Sequence, residues 1–412
     1  MKIVILGGGA AGFMAAITAA ESNNKNEVIL LEKSSKTLQK VRISGGGRCN
    51  VTHRPHEAKN FAKNYPRGGD FLRKLFSVFD ANNTVQWFES RGIKLKTESD
   101  GRMFPITDSS ETIAHCLMES ARNAGVTIQT QTGIRSFTYS PDTELPFSLE
   151  TLGGEIIKAD RLLIAAGGHP QSHGYNWLRD HGIEIMEPVP SLFTFNCPDS
   201  PVLHLSGISI PSVTLKISGT SLSSTGPLLF THWGFSGPAI LKLSAMAARH
   251  LADADYNFQV RINWIPQENP EKVRESLIAE KTNRPKQQIS SHARFGLPLN
   301  VWKAWVRLSG IDDLQKWADI SNKSLNKLTE VLTNCEFRIQ GKTTFKEEFV
   351  TCGGVSLSEL NPSTLECRRI PGLFFAGEVI DVDGVTGGFN FQNAWTTGYI
   401  AGSHMAQSVN NL

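Results

Sequence analysis

No stretch of this chain approaches the roughly 18 consecutive apolar residues that a membrane-spanning helix requires. No Cys-x-x-Cys pair occurs either. Cys49, Cys116, Cys197, Cys335, Cys352 and Cys367 are scattered, which argues against a zinc site, a disulfide framework and a dithiol redox centre. The histidines show no metal-ligand spacing; His169 and His173 stand four apart, but Pro170 between them reads as loop. The net charge of +3 over 412 residues is small. Nor does the start of the chain read as a cleavable leader: Lys2 precedes an apolar run, but three consecutive glycines interrupt it. These absences leave an ordinary protein of the reducing cytoplasm as the expectation, with no membrane partner, no metal and an open oligomeric state. The length predicts two or three lobes.

What the chain does contain is concentrated at its beginning. Ile3 to Leu6 is an uninterrupted apolar run, as in a strand buried on both faces of a parallel sheet. Gly7-Gly8-Gly9-Ala10-Ala11-Gly12 follows, then an Ala-rich helical stretch to about Ser22 and a second apolar strand, Val28 to Leu31, ending in Glu32 with Lys33 beside it. Gly7, Gly9 and Gly12 fit the dinucleotide fingerprint. Gly7 permits the tight turn, Gly9 removes a Cβ that would block a pyrophosphate, and Gly12 allows close packing of the helix. The helix N-terminus, at Ala10 and Ala11, offers unpaired N–H groups and partial positive charge to phosphates. Glu32 can accept both ribose hydroxyls, which favours NAD or the adenosine half of FAD over NADP. A glycine turn without a ligand is the alternative.

Farther along, Ser44-Gly45-Gly46-Gly47-Arg48-Cys49-Asn50 reads as a loop that brings backbone N–H groups and a guanidinium onto an anion or a polar ring edge; Cys49 reads as packed rather than redox-active. Phe71 to Gly92 reads as two helices broken near Asn82-Asn83, and Glu111 to Asn123 as a helix capped by Gly125. Val126 to Gln129 is a strand, Phe137 to Ile157 a hairpin excursion, and Arg161 to Ala166 a buried strand ending at Gly167. Composition shifts near Pro188-Val189-Pro190. Strand signals at Leu192–Phe195, Val213–Ile217 and Phe258–Trp264 follow, interrupted by one helix from Pro238 to about Leu251. Gln267 to Thr333 is helical in pattern, and Cys335 to Phe349 strand-like. Leu373 to Ala376 runs into Gly377-Glu378. Asp383, Gly387, Gly388 and Asn390 then precede a helix from about Gln392 to Gln407. These paired glycines would set a helix N-terminus against a flavin pyrimidine edge, and Glu378 could bind ribityl hydroxyls.

Gly7–Gly12 with Glu32, SGGGRCN at 44–50, GRMFP at 101–105, THWGFSGPAI at 231–240 and AGEVIDVDGVTGGFNFQNAW at 376–395 resemble the BaiN-like NAD(P)/FAD-dependent oxidoreductases, also described as aminoacetone oxidase family FAD-binding enzymes. The resemblance spans essentially the whole chain. It implies an α/β protein: a Rossmann-like two-dinucleotide-binding FAD domain (1–189 and 348–412), with an inserted β-barrel lobe (190–266 and 334–347) and a small helical lobe (267–333). The cofactor-binding set is then Gly7, Gly9, Ala10, Ala11, Gly12, Glu32, Lys33, Gly46, Gly47, Arg48, Cys49, Asn50, Ala166, Gly167, Gly377, Glu378, Asp383, Gly387, Gly388 and Asn390. One departure stands out. Only His169-Pro170-Gln171-Ser172-His173-Gly174-Tyr175 follows Gly168, where the family carries a longer segment, which leaves substrate and donor preference open.

The expected function is two-electron flavin chemistry on a small-molecule substrate: reduction of an activated C=C bond with NAD(P)H as donor, or oxidation of an amine or alcohol by oxygen. Arg48 and His232, the latter in a glycine-punctuated loop before Pro238, are the candidate catalytic residues. Nucleic acid is not the expected partner, although eleven Lys or Arg against two acids between Lys33 and Lys74 keep a tRNA-modifying flavoprotein as an alternative. A non-catalytic FAD-binding protein is another.

Overall fold

A computed structural model describes residues 1–343 and 350–407. They form two compact units, residues 1–191 with 350–407, and residues 192–343. The first unit is built on five parallel strands, β1 (Lys2–Leu6), β2 (Glu27–Leu31), β3 (Thr127–Gln129), β4 (Arg161–Ile164) and β5 (Leu373–Phe375), in the order β5-β4-β1-β2-β3. Ile3 to Leu6 and Val28 to Leu31 are buried throughout, because a strand in the middle of a covered parallel sheet has no solvent face. The chain moves outward from β1 in one direction through β2 and β3, then in the other through β4 and β5. That reversal opens a crevice at the carboxyl ends of β1 and β4.

Helix α1 (Ala10–Ser22) buries Ala11 through Ala20. Helix α2 (Ser110–Asn123) packs beside it, and α3 (Phe389–Met405) lies along it. Small side chains make this last contact close. A Cβ on Gly398 would lie 2.5 Å from the Ala11 carbonyl oxygen, and one on Gly402 2.5 Å from that of Ala15. The two glycines are one turn apart, so they present a bare stripe on which α1 rests.

Two three-stranded antiparallel sheets flank this core, one of Thr52–His53, Arg102–Pro105 and Leu95–Thr97, the other of Ile134–Tyr139, Phe147–Thr151 and Ile156–Ala159. The helix break expected at Asn82-Asn83 falls earlier, between Gly69–Leu75 and Ala81–Glu89. Asp80 is the N-cap: its carboxylate accepts from the Asn83 N–H while the Asn83 side chain accepts from the Asp80 N–H, so the asparagines open a helix rather than end one. Pro188-Val189-Pro190, where the composition shifts, lies within a strand. Ile185–Ser191 pairs antiparallel with Val350–Val355, with a register shift between Met186 and Val189 that accommodates the missing proline N–H groups.

The second unit carries a seven-stranded antiparallel sheet in the order Cys335–Gln340, Asn257–Asn263, Ser209–Ile217, Ser223–Thr231, Gly234–Ser236, Thr194–Asn196, Lys342–Thr343. Its two edge strands are consecutive in the chain through Gly341, which gives the sheet a barrel-like course. The helix expected from Pro238 to Leu251 is two, Pro238–Met246 and Ala248–Asp253. Helices Pro270–Asn283, Leu299–Leu308 and Asn322–Asn334 pack on the sheet. The β and helical stretches share one core: Phe230 from a strand and Trp264, just past the end of Asn257–Asn263, meet Trp305 from a helix, the two tryptophan rings 4.5 Å apart. The end of the expected Cys335–Phe349 strand, and the lobe boundary at 347–348, lie outside the described residues. Among the described residues no helix is long and apolar enough to cross a membrane.

Candidate functional site

The glycine turn after β1 divides its labour by geometry. Gly7 has φ +109°, and a Cβ there would lie 2.3 Å from the Ala165 carbonyl oxygen at the end of β4. A Cβ on Gly12 would lie 1.9 Å from the Gly7 carbonyl oxygen, so Gly12 makes room for the turn itself. At Gly9 a Cβ would meet nothing within 4 Å. The first two glycines are thus required by the protein's own backbone, and the third faces open space. Gly9 is also the N-cap of α1, with no side-chain cap and no acid in the first turn. The N–H groups and dipole at Ala10 and Ala11 are left for an anion. These features fit a bound diphosphate.

Glu32 is held against this turn. Its carboxylate accepts from the Gly8 N–H at 2.8 Å, from the Ser34 N–H at 2.8 Å and from the Ser34 hydroxyl at 2.7 Å. The acid therefore braces the turn and is oriented beside it. Lys33 is exposed. Beyond Glu32 lies a cavity of about 680 Å³ bordered by Ser35, Lys36, Thr37, Arg42, Glu111 and Arg122.

In the second glycine stretch, helical backbone stops at Ser44, and Gly45, Gly46 and Gly47 follow with φ of 59°, 68° and 80°. Such conformations strongly favour glycine. Gly46 and Gly47 again face open space. Arg48 points elsewhere: its guanidinium bonds Glu98 at 2.7 Å, lies 3.5 Å from Asp108 and stacks 4.1 Å from the Phe104 ring centroid. The hydrogen bond to Glu98 raises its already high pKa. Cys49 is fully buried, and burial pushes its thiol up to about 12, which makes it unreactive at neutral pH. Asn50, with its amide turned to suit its neighbours, donates to the Thr52 carbonyl at 3.0 Å and accepts from the Gly388 N–H at 2.9 Å.

That last contact joins the 44–50 segment to the start of α3. Gly387 and Gly388 have φ of 129° and 92°, and a Cβ on Gly388 would lie 2.6 Å from the Thr52 backbone. Gly388 caps α3 with no side-chain cap and no acid in the first turn. Asn390 is engaged internally, accepting from the Gly384 N–H at 2.8 Å and donating to its carbonyl at 2.9 Å. Asp383 is fully buried: Arg67 Nε donates to it at 2.6 Å, Arg67 Nη2 bonds the second oxygen, and Ser191 donates at 2.8 Å. Burial nevertheless holds the Asp383 carboxyl above the usual range, with Arg67 pulling the other way. Both oxygens are occupied, so Asp383 shapes the loop rather than presenting a free carboxylate. Glu378 accepts from the Thr351 N–H at 3.0 Å and pairs with Lys40 at 2.5 Å. Gly377 donates to the Thr397 hydroxyl at 2.9 Å. Gly167 faces open space next to Ala166, whose Cα borders Gly7.

The first unit therefore gathers the turns after β1, β4 and β5, the 44–50 segment and the α3 start around one crevice. His232 is in the second unit, exposed on the turn between Ser223–Thr231 and Gly234–Ser236. Sequence reasoning missed His53. Its Nδ1 lies 3.1 Å from the Gly387 carbonyl oxygen and its ring stacks 4.8 Å from that of Phe389. The available signal was its place three residues after Asn50.

The sequence matches the family described as HI0933-like protein Rossmann domain over residues 1–404. It is 29% identical to the ribosomal RNA dihydrouridine synthase of Escherichia coli (strain K12), over 90% of each chain. It is 27% identical to the 3-dehydro-bile acid delta(4,6)-reductase of Clostridium scindens, over 92% of this chain and 93% of that one. The fold is similar to the crystal structure of 3-ketosteroid-delta4-(5alpha)-dehydrogenase from Rhodococcus jostii RHA1, with a TM-score of 0.52 and 14% identity over 98% of this chain and 96% of that one.

Proposed function

The chain belongs to the HI0933-like Rossmann-domain family of FAD-dependent oxidoreductases, and from that premise we propose that it reduces a C=C bond conjugated to a carbonyl, with NAD(P)H as electron donor. The observation that carries this reading is the pair of relatives that align from end to end. A dihydrouridine synthase saturates the C5=C6 bond of a uracil ring, and a 3-dehydro delta(4,6)-reductase acts on double bonds conjugated to a 3-oxo group. The substrates differ, but the reaction class is the same. In the net reaction the substrate carbon β to the carbonyl gains a hydride, the α carbon gains a proton, and NAD(P)H becomes NAD(P)⁺.

FAD, when bound, supplies two-electron transfer. The chain's own residues do the rest. Ala10 and Ala11 at the start of α1 hold the diphosphate, and Glu32 accepts the adenosine ribose hydroxyls. The cavity beside Ser35 and Thr37 suits the adenine. Gly46 and Gly47 admit the flavin end without steric cost, Glu378 accepts from ribityl hydroxyls, and the α3 N-terminus stabilises negative charge on the pyrimidine edge. His232 is proposed as proton donor, whereas Arg48, tied to Glu98 and stacked on Phe104, is left as a brace of the 44–50 segment. The six cysteines, all buried and none in a disulfide among the described residues, support a reducing cytoplasmic location.

Anaerobic photometry tests the reaction direction. NADH or NADPH should bleach the flavin, and an α,β-unsaturated ketone or a uridine oligonucleotide should restore its colour. Bleaching by amines or alcohols instead, with recovery only on admitting oxygen, would identify an oxidase.

A further inference from the structure

The first turns of α3 are tied to residues 50–53. Trp395 Nε1 donates to the Val51 carbonyl at 2.9 Å, and the Thr52 hydroxyl donates to Gln392 Oε1 at 2.6 Å, both contacts buried. At the glycine turn two further contacts grip a single peptide bond. The Gly387 carbonyl oxygen lies 3.1 Å from His53 Nδ1, and the Gly388 N–H donates to the Asn50 amide oxygen at 2.9 Å. A carbonyl only accepts, so His53 Nδ1 carries a proton and donates it. The C=O and N–H of one trans peptide point in opposite directions, so His53 and Asn50 hold this one from its two sides.

The bond they hold is easily turned over. Gly387 and Gly388 have φ of 129° and 92°. A half turn of the peptide plane between them changes mainly ψ of Gly387 and φ of Gly388, and glycine takes φ of either sign about equally well. The rotation would exchange the two ends, leaving the carbonyl oxygen toward Asn50. Asn50 stands against the 45–47 glycines, since a Cβ on Gly45 would lie 3.1 Å from its backbone nitrogen. The clamp therefore turns the N–H, the positive end of the peptide dipole, toward the segment assigned to the flavin, and the carbonyl away from it. His53 is itself fixed. Its ring stacks on Phe389 at 4.8 Å and 25°, a Cβ on Gly101 would lie 2.5 Å from its Nε2, and its strand pairs it with Arg102.

We infer that His53 is a positioning residue for the flavin: by holding the Gly387 carbonyl it keeps that oxygen off the pyrimidine edge and so favours the reduced cofactor. This rests on the assignment of the α3 N-terminus to that edge. The N–H groups of Phe389, Asn390 and Phe391 have no intrahelical acceptor, and with the macrodipole they favour the negative charge the edge gains on reduction. A carbonyl oxygen turned in among them would oppose it. One neutral hydrogen bond biases the orientation, and its loss shifts that equilibrium by roughly 2- to 13-fold.

The test uses the FAD-loaded full chain. His53→Phe keeps a ring on Phe389 and removes the donor, whereas His53→Asn returns an amide N–H near the place of Nδ1. Anaerobic equilibration with a reference dye reads the midpoint potential, and hydrogen exchange followed by mass spectrometry reads the Gly387–Phe391 segment. His53→Phe should carry wild-type FAD content yet hold reduced FAD, relative to oxidised, about 3- to 10-fold less tightly, a potential lower by about 15 to 30 mV for a two-electron couple. Its Gly387–Phe391 segment should exchange faster, and His53→Asn should restore both readouts. Unchanged potential and exchange in His53→Phe would overturn the inference. So would a lowered potential that His53→Asn fails to restore, which would credit the ring and not the donated hydrogen bond, or a loss of FAD common to both variants. Faster exchange with an unchanged potential would uphold the clamp and overturn the pyrimidine-edge assignment beneath it.

Discussion

Replacing Gly9 by valine separates cofactor binding from folding. Gly9 has φ −95° and ψ −170°, extended backbone that any residue adopts, and a Cβ there meets nothing within 4 Å. The only cost to the apoprotein is the poorer N-cap, about 0.5–1 kcal/mol. A diphosphate seated on the α1 N-terminus would lose its close approach to the backbone. Two charge-assisted hydrogen bonds at about 1.5–3 kcal/mol each amount to about 3–6 kcal/mol, or roughly 10²- to 10⁴-fold in Kd. Titration of apoprotein with FAD, followed by flavin fluorescence, reads the affinity, and thermal unfolding of the same apoprotein reads the stability. Gly12→Ala is the contrasting variant, because its Cβ would sit 1.9 Å from the Gly7 carbonyl oxygen; it should destabilise the apoprotein itself. Wild-type FAD affinity in Gly9→Val, or a loss of several kcal/mol in its apoprotein, would refute the reasoning.

Glu32→Gln removes the charge from the acceptor that holds Gly8 and Ser34 and should lower FAD affinity by about 1.5–3 kcal/mol; an unchanged Kd by equilibrium dialysis would restrict Glu32 to bracing the turn. Gly387→Val places a Cβ at φ +129° and 3.0 Å from the Phe389 ring, so it should purify with depleted flavin while circular dichroism shows the sheet intact; normal flavin content and an unchanged reduction potential would contradict the cradle. His232→Ala should keep FAD bound yet slow single-turnover reduction of the acceptor by about 10²-fold, and an unchanged rate would remove His232 from the mechanism. Because burial holds the Cys49 thiol at about 12 and all six cysteines are buried, native protein should resist a thiol reagent at neutral pH that labels the denatured chain fully; rapid native labelling assigned to Cys49 by mass spectrometry would show that the 44–50 segment opens.

What the sequence revealed was local. The β1–α1–β2 unit was legible because strand, glycine turn, helix and acid lie within thirty-two residues, each tied to the next by backbone geometry. The glycines at 45–47 and 387–388 were legible for the same reason, although nothing in the sequence showed that Asn50 joins the two loops through the Gly388 N–H. Long-range polar pairings were hidden. Asp383 was placed among the cofactor-binding residues with no sign of its partner, Arg67, 316 residues away. Strand Ser223–Thr231 escaped notice because Gly226 and Pro227 interrupt an already polar alternation. Pro188 and Pro190 marked only a shift in composition because their tolerance in a strand depends on a bulge that only the partner strand reveals.

The bare stripe of Gly398 and Gly402 also bears on how the chain comes off the ribosome. Strands β1 to β4 emerge early, but β5 and the helix that covers α1 follow roughly 200 residues later, a delay of about 10–40 s at ordinary synthesis rates. During that interval the second unit acquires all of its described strands, while α1 displays the alanine backbone meant for those two glycines. The nascent first half is then an open, sticky intermediate whose natural guard is a chaperone, and α3 is the latch whose arrival ends the exposure. Loss of the final turns of α3 would therefore show first as aggregation during synthesis, before any effect on the chemistry.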